Sequence, residues 1–289
     1  MPEGDTIFRA ARALDRALAG RTVTRFDSVF PKLNRVDDDR PLRGRTIDRV
    51  EARGKHLLIW FSDDLVLRTH MRMHGSWHIY RPGERWQRPR ADMRIVIGTT
   101  EFEAVAFTVP VAEFSTGHRI ESTPALRDLG PDLVADDFDP AEAVRRIALL
   151  PDVEIADALL DQHAVAGLGN IFKSETLFAA RIDPFARVGA LPRAEIEKAV
   201  TTARRLMRAN LSDSHEGLAT YSTGRRTTRR ADPSARLWVY GRAGRPCRRC
   251  GTPISRKKQG TDLRSTYWCE RCQRAEDPTS ASRQVPGQD

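Results

Sequence analysis

The sequence predicts an α+β multidomain protein: an N-terminal helix with an antiparallel β-sandwich, a helical middle domain and a C-terminal four-cysteine zinc finger. Three observations lead there. Apolar residues alternate in short runs up to about position 120, they recur every three or four residues from about 125, and all four cysteines fall between 247 and 272. Alternation is the period of half-buried strands, and a spacing of three to four is that of an amphipathic helix. The predicted boundaries are 1–122 for the sandwich, 123–235 for the helical domain, 236–275 for the zinc finger and 276–289 for a tail of disordered composition. With 289 residues and 40% hydrophobic content, the chain can bury more than one core.

The first helix is expected over 4–19, where Ile7, Ala11, Leu14 and Leu18 share one face and Gly20 supplies the stop. Strands follow at TVTRF, TIDRVEARG, HLLIWFS, LVLRTHMRM, SWHIY, MRIVIGTT and EFEAVAF, separated by turn residues such as SDD and RPGE. Short strands at this spacing, with no helices between them, make a sandwich rather than βαβ units. Helices are expected in ALRDLGPDLV, PAEAVRRIALL, VEIADALLDQ, KSETLFAARI and RAEIEKAVTTARRLMRANL, and the polar stretch 212–232 reads as a mobile loop.

The net charge of +9 is concentrated. Residues 225–274 hold fifteen Arg and Lys against three acids, a local +12, while 1–224 net −1 and 275–289 net −2. A basic module of this density suits a polyanion such as nucleic acid. The cysteines form CRRC and CERC, eighteen residues apart. Cys247, Cys250, Cys269 and Cys272 thereby offer four thiolates to one structural Zn2+ with no open coordination position. Two disulfides would instead close very small, strained loops. No apolar run approaches the ~20 residues of a membrane span, and the first residues lack a signal peptide's apolar centre. A soluble, cytoplasmic protein is expected.

Five stretches carry candidate chemistry. In MPEGD, removal of Met1 leaves Pro2 with a free secondary amine beside Glu3, although Pro and Glu are also ordinary at a helix start. AVAGLGNIFKSE turns into a helix at about Asn170, whose open N–H groups suit a phosphate oxygen, with Asn170 and Lys173 as further donors; an Asn-capped corner fits equally well. ARGKHLLIWF sets Lys55 ahead of a buried strand, a plain surface lysine unless it shares a cavity with Pro2. HMRMHGSW puts Met73 between Arg72 and His74 at a glycine turn, suited to the core or to a tip that enters a base stack. In LRSTYWCERCQ, Arg264 stands near the far strand of a hairpin, within reach of a phosphate, and Tyr267 and Trp268 support the module's small core.

In this order, MPEGDT, RGKHLL, HMRMHGSW, AGLGNIFKSETLF and C-x2-C…RSTYWCERCQ resemble the formamidopyrimidine-DNA glycosylase / endonuclease VIII family across essentially all of 1–274. The PEGD start is closer to the endonuclease VIII branch. The resemblance implies a helix–two-turn–helix middle domain and a bifunctional DNA glycosylase and AP lyase of base excision repair. It implies a monomer, nucleoid-associated, acting on damaged DNA, duplex or single-stranded. By residue it implies Pro2 as Schiff-base nucleophile, Glu3 as general acid and Lys55 as the grip on the phosphate beside the lesion. It makes Asn170 and Arg264 phosphate clamps and Arg72-Met73-His74 the wedge that fills the gap left by an extruded base. Two departures stand out. AFTVPVAEFST lacks the Arg and Phe that the purine-type branch turns toward the orphaned base, which points to oxidised pyrimidines as substrates. Thr6 stands where many relatives have Glu, leaving Asp5 as the substitute carboxylate. The alternative is a non-catalytic binder of damaged or structured DNA, which would not need the Pro2 amine.

Overall fold

The computed structural model describes residues 2–211, 225–228, 230 and 232–274. The tail expected over 276–289 and most of the loop expected over 212–232 lie outside the described residues. Helix α1 (Gly4–Leu18) forms where its apolar stripe predicts it, with Ile7, Ala11, Leu14 and Leu18 buried and the chain turning at Gly20. It is followed by β1 (Arg25–Ser28), α2 (Pro31–Asp39), β2 (Ile47–Arg53), β3 (His56–Phe61), β4 (Leu65–His70), β5 (Ser76–Tyr80), β6 (Met93–Gly98), β7 (Glu103–Phe107) and β8 (Val111–Ser115). The strands form two antiparallel sheets, β1-β6-β7-β5 and β2-β3-β4-β8. Their facing side chains, Leu57, Ile59, Phe61 and Leu67 against Trp77, Ile95, Ile97 and Ala106, make one core that α1 closes with Leu14 and Leu18.

Within 1–122 the sequence did not predict α2, β8 or a short helix over Gly117–Ser122. Helix α2 is short and buries only Leu33, so its apolar signal is a single residue. Strand β8 was hidden because Val111–Ser115 is only half-buried along its length and follows Pro110. Just three residues, Thr108, Val109 and Pro110, carry the chain from β7 in one sheet to β8 in the other.

The chain then turns helical: α3 (Gly117–Ser122), α4 (Pro124–Arg127), α5 (Pro140–Ala148), α6 (Ile155–Ala158), α7 (Asn170–Ala180) and α8 (Arg193–Ala209). The helix expected in ALRDLGPDLV stops at Arg127, because Gly130 and Pro131 cannot continue it. VEIADALLDQ likewise yields only the single turn α6. Beyond them Asp132 bridges to Ala166 and accepts the Gly54 N–H at 2.6 Å, which ties the helical domain to the turn carrying Lys55. Helix α7 is buried on all sides: Lys173, Ser174, Glu175 and Thr176 are enclosed along with Phe172, Leu177 and Phe178.

The last module is the hairpin of β9 (Ser255–Gln259) and β10 (Arg264–Trp268), packed with the cysteine loops around Val239, Ile254 and Phe178 of α7. Tyr267 joins this cluster, and Trp268 meets the Phe185 ring edge-on at 4.8 Å. Part of the predicted mobile stretch is bound to the body of the protein. Arg226 and Asn210 exchange two hydrogen bonds of 2.8 Å, and Thr227 donates to Glu175. Among the described residues no helix is long and apolar enough to cross a membrane.

Candidate active site at a three-domain junction

Glu3 holds two structural positions at once. Its backbone caps α1, accepting the N–H groups of Thr6 and Ile7 at 2.9 and 3.1 Å. Its side chain is fully buried and caps a different helix, α7, accepting from the N–H groups of Gly169, Ile171 and Phe172 at 3.1, 2.8 and 3.3 Å. A carboxylate suits a helix N-terminus, where unpaired N–H groups and the helix dipole converge. The N–H groups that the sequence reading offered to a phosphate are thus occupied by the protein's own carboxylate. Gly169 makes this possible: a Cβ there would lie 2.4 Å from Cγ and Cδ of Glu3. The Gly4 N–H donates to the Gly167 carbonyl at 2.8 Å, and the two contacts together pin Pro2 against the turn before α7.

Lys55 reaches the same turn from the sandwich. Its Nζ donates to the Leu168 carbonyl at 2.6 Å. Burial lowers its pKa to about 8; Glu3 opposes that shift, and Arg264 and Arg225 add to it. Lys55 and Pro2 line one cleft of about 570 Å³, with His70, Arg72 and Met73 from the sandwich, Asp157 and Gln162 from the helical domain, and Gln259 and Arg264 from the zinc hairpin. The condition set for Lys55 in the sequence, a cavity shared with Pro2, is met.

His70 was not anticipated. The Arg72 N–H donates to its Nδ1 at 3.1 Å, so the ring proton resides on Nε2. Burial, then Arg72 and Lys55, lower its pKa to about 4, so the ring is a neutral donor on the cleft wall at neutral pH. No local sequence signal marked it; the strand register brings it there, pairing His70 with His56 directly after Lys55.

The turn between β4 and β5 carries Arg72 at φ +50° and exposes Met73 at 52% relative accessibility. Met71 behind it is buried, as is Trp77, whose Nε1 donates to Thr69 Oγ1 at 3.2 Å. Gly75 is required at the base of the turn, since a Cβ would sit 2.5 Å from the Met71 carbonyl oxygen. The Arg72-Met73-His74 tip therefore stands on a rigid base with its apolar member pointing out.

Asn170 and Lys173 are placed differently from the sequence expectation. Lys173 has no exposed surface; its Nζ donates to Thr266 Oγ1 at 2.7 Å inside the interface of α7 with the zinc hairpin. Burial lowers its pKa to about 8. It has no surface to offer a phosphate, because the periodicity that located the helix did not reveal that a second domain covers this face. Asn170 is 5% exposed and donates to the Ser265 carbonyl at 2.9 Å. Arg264 lies on the cleft wall with Asp262 3.2 Å away. Asp5, the suggested replacement carboxylate, is fully buried and bound by Arg225 at 3.0 Å and Arg9 at 3.6 Å, while Arg225 also donates to Thr6 Oγ1 at 2.9 Å. Asp5 is thereby tied up in an ion-pair network. Glu175 was also unforeseen: it is fully buried and accepts the Trp238, Val239 and Tyr240 N–H groups at 2.8 Å each.

The Sγ atoms of Cys247, Cys250, Cys269 and Cys272 all lie within 4.8 Å of one another, with 3.9 Å between Cys247 and Cys272 and 3.4 Å between Cys250 and Cys269. Tetrahedral zinc with bonds of about 2.3 Å sets its sulfurs about 3.8 Å apart, so the four residues fit one structural Zn2+.

Comparison with known proteins matches this layout. The family model "Formamidopyrimidine-DNA glycosylase N-terminal domain" covers residues 1–110, the H2TH domain of the same family 129–222, and "Zinc finger found in FPG and IleRS" 244–275. A probable endonuclease 8 2 of Streptomyces coelicolor is 40% identical over 98% of both chains. A protein of Mycolicibacterium smegmatis named DNA-(apurinic or apyrimidinic site) lyase Nei2 is 38% identical over 95% of this chain and all of its own. In structure, the Lactococcus lactis Fpg, solved with DNA containing an abasic site, superposes with a TM-score of 0.80 at 23% identity over 94% of this chain and 100% of that one. The chain belongs to the formamidopyrimidine-DNA glycosylase / endonuclease VIII family.

Proposed function

We propose that the protein is a DNA glycosylase and AP lyase of base excision repair that works through the amine of Pro2. The observation that carries this reading is the meeting of Pro2 and Lys55 in one cleft, with Glu3 fixed behind them on α7. With Met1 removed, Pro2 is a free secondary amine, and its unprotonated form is nucleophilic. Its nitrogen attacks C1′ of the damaged nucleotide, and the bond from C1′ to the base breaks with its electron pair leaving on the base. On attack the Pro2 nitrogen passes its proton to the Glu3 carboxylate; opening of the sugar then breaks the C1′–O4′ bond, O4′ takes that proton from Glu3, and C1′ becomes an iminium carbon. The iminium acidifies the C2′ hydrogen. Its loss expels the 3′ phosphate by β-elimination, and a second elimination expels the 5′ phosphate. Water then hydrolyses the iminium and frees Pro2.

Lys55, the Nε2–H of His70 and Arg264 are the groups on the cleft wall suited to the flanking phosphates. Asn170 gives one amide N–H to the Ser265 carbonyl and has a second to offer a phosphate. Met73 fits the space vacated by the extruded base. Oxidised pyrimidines are the proposed lesions, since the three-residue passage from β7 to β8 leaves no loop there to read the base opposite. Borohydride reduction tests the core of the reading. It should join the protein covalently to abasic DNA through Pro2, and Pro2→Gly or retained Met1 should abolish the adduct. An adduct on another residue would overturn the mechanism.

A further inference from the structure

The loop between β5 and β6 has no part in the cleft, yet it meets the wedge turn. It leaves β5 at Tyr80, far from the wedge, and returns at Met93, which pairs with Phe107 at the wedge end of the sheet. Thr108 joins the two: its N–H donates to the Asp92 carbonyl at 2.7 Å and its Oγ1 to the His74 carbonyl at 2.8 Å. Neighbouring strands lie about 4.8 Å apart, so Asp92 and His74 are separated by about 10 Å, within one groove width of DNA. Arg72 and Met73 of the wedge turn line the cleft, whereas no residue of 81–94 does.

Residues 81–94 contain five arginines and two acids, in a stretch 1–224 that otherwise runs slightly negative. Three of the arginines are engaged within the fold. Arg88 pairs with Asp92 at 3.2 Å, Arg94 donates to the Ala91 and Met93 carbonyls, and Arg81 lies over the Phe102 ring. Arg85 and Arg90 are exposed and have no carboxylate partner among the described residues. Their backbone is held in place. Trp86, between them, donates to Glu103 Oε1 at 2.7 Å and packs on Phe107, and the Gln87 N–H donates to the Tyr80 hydroxyl at 3.1 Å. The Arg90 guanidinium rests over the Trp86 ring, 5.2 Å from its centroid. Two cations on an anchored loop cost less ordering on binding than cations on a free one.

We propose that Arg85 and Arg90 bind the phosphate backbone of the strand opposite the lesion, giving the enzyme a grip specific to duplex DNA. The inference rests on the proposed glycosylase and lyase reading and adds a contact surface to it. Chemistry and position both favour phosphate: the cations stand on an anchored loop outside the cleft, without carboxylate partners among the described residues, and Thr108 ties that loop to the wedge turn.

The test is R85A/R90A, with binding measured over a salt series to duplex and single-stranded oligonucleotides carrying a tetrahydrofuran abasic analogue. Duplex affinity should fall about tenfold, with the slope of log K against log salt shallower by about two, one phosphate contact per arginine. Single-strand affinity and borohydride trapping on single-stranded abasic DNA should be unchanged, and R85K/R90K should restore the salt slope. Unchanged duplex binding, or equal losses on both substrates, would overturn the proposal. Failure of the unsubstituted protein to trap abasic DNA would instead defeat the underlying reading, so the two failures are distinguishable.

Discussion

Burial holds the Lys55 ammonium at about 8 instead of its usual 10.5, and this gives the cleft a pH dependence. Below that value the group is charged and suits a phosphate; above it the free protein loses the charge. Affinity for the tetrahydrofuran analogue should therefore weaken as pH rises through 8, by up to about tenfold per unit. Lys55→Arg, which stays charged, should flatten the part of the profile that belongs to this residue. Gly169 offers a second test at the same scale. A Cβ there collides with Glu3, so Gly169→Ala should slow adduct formation by about 10²-fold or more, in the range of losing a general acid, while the Pro2 amine is left in place. Single-turnover trapping rates check this; a normal rate would mean that Glu3 can act from another position.

Helix α7 and the wedge turn are where elements determine behaviour. The sequence of α7 shows a polar run, Lys173-Ser174-Glu175-Thr176, and all four are buried where the N-terminal segment, the zinc hairpin, and Thr227 with Trp238–Tyr240 pack against the helix. A polar run inside a buried helix needs partners, and three of the four find them in other parts of the chain: Lys173 with Thr266, Ser174 with the Tyr267 N–H, and Glu175 with Thr227 and the Trp238, Val239 and Tyr240 N–H groups. That is why periodicity located α7 correctly and assigned Lys173 to the wrong surroundings. The wedge turn is the opposite case, an apolar side chain at 52% exposure on a rigid base. Met73→Ala should lower processing of a lesion in duplex by about tenfold and leave a single-stranded lesion little affected, because only a duplex has a stack to refill. Equal losses on both substrates would remove Met73 from that role.

At the scale of the whole molecule, the cleft exists only while the zinc hairpin is docked on α7. The hairpin supplies Gln259 and Arg264 to its wall, and the Lys173–Thr266 and Asn170–Ser265 contacts hold it there. The metal-binding module is small and its folding depends on its four thiolates being joined. Stripping zinc with a chelator should abolish lesion binding and borohydride trapping, while the β-sheet signal in far-ultraviolet circular dichroism persists from the sandwich, which has its own core. Retained binding without metal would show that the hairpin docks without its zinc.

Local patterns determined a good deal by themselves: most of the strands and helices in their order, and the four thiolates at metal-ligand spacing. Each is written in neighbouring residues, because strand period, helix period and a Cys-x2-Cys turn are short-range properties. Only the tertiary structure decided that Glu3 caps α7, that His70 is a neutral donor on the cleft wall, that Lys173 is enclosed and that Asp5 is held by Arg225. Each of these depends on residues tens to hundreds of positions apart meeting across packed domains, and the burial and pairing that set a side chain's charge and partners arise only when those surfaces close.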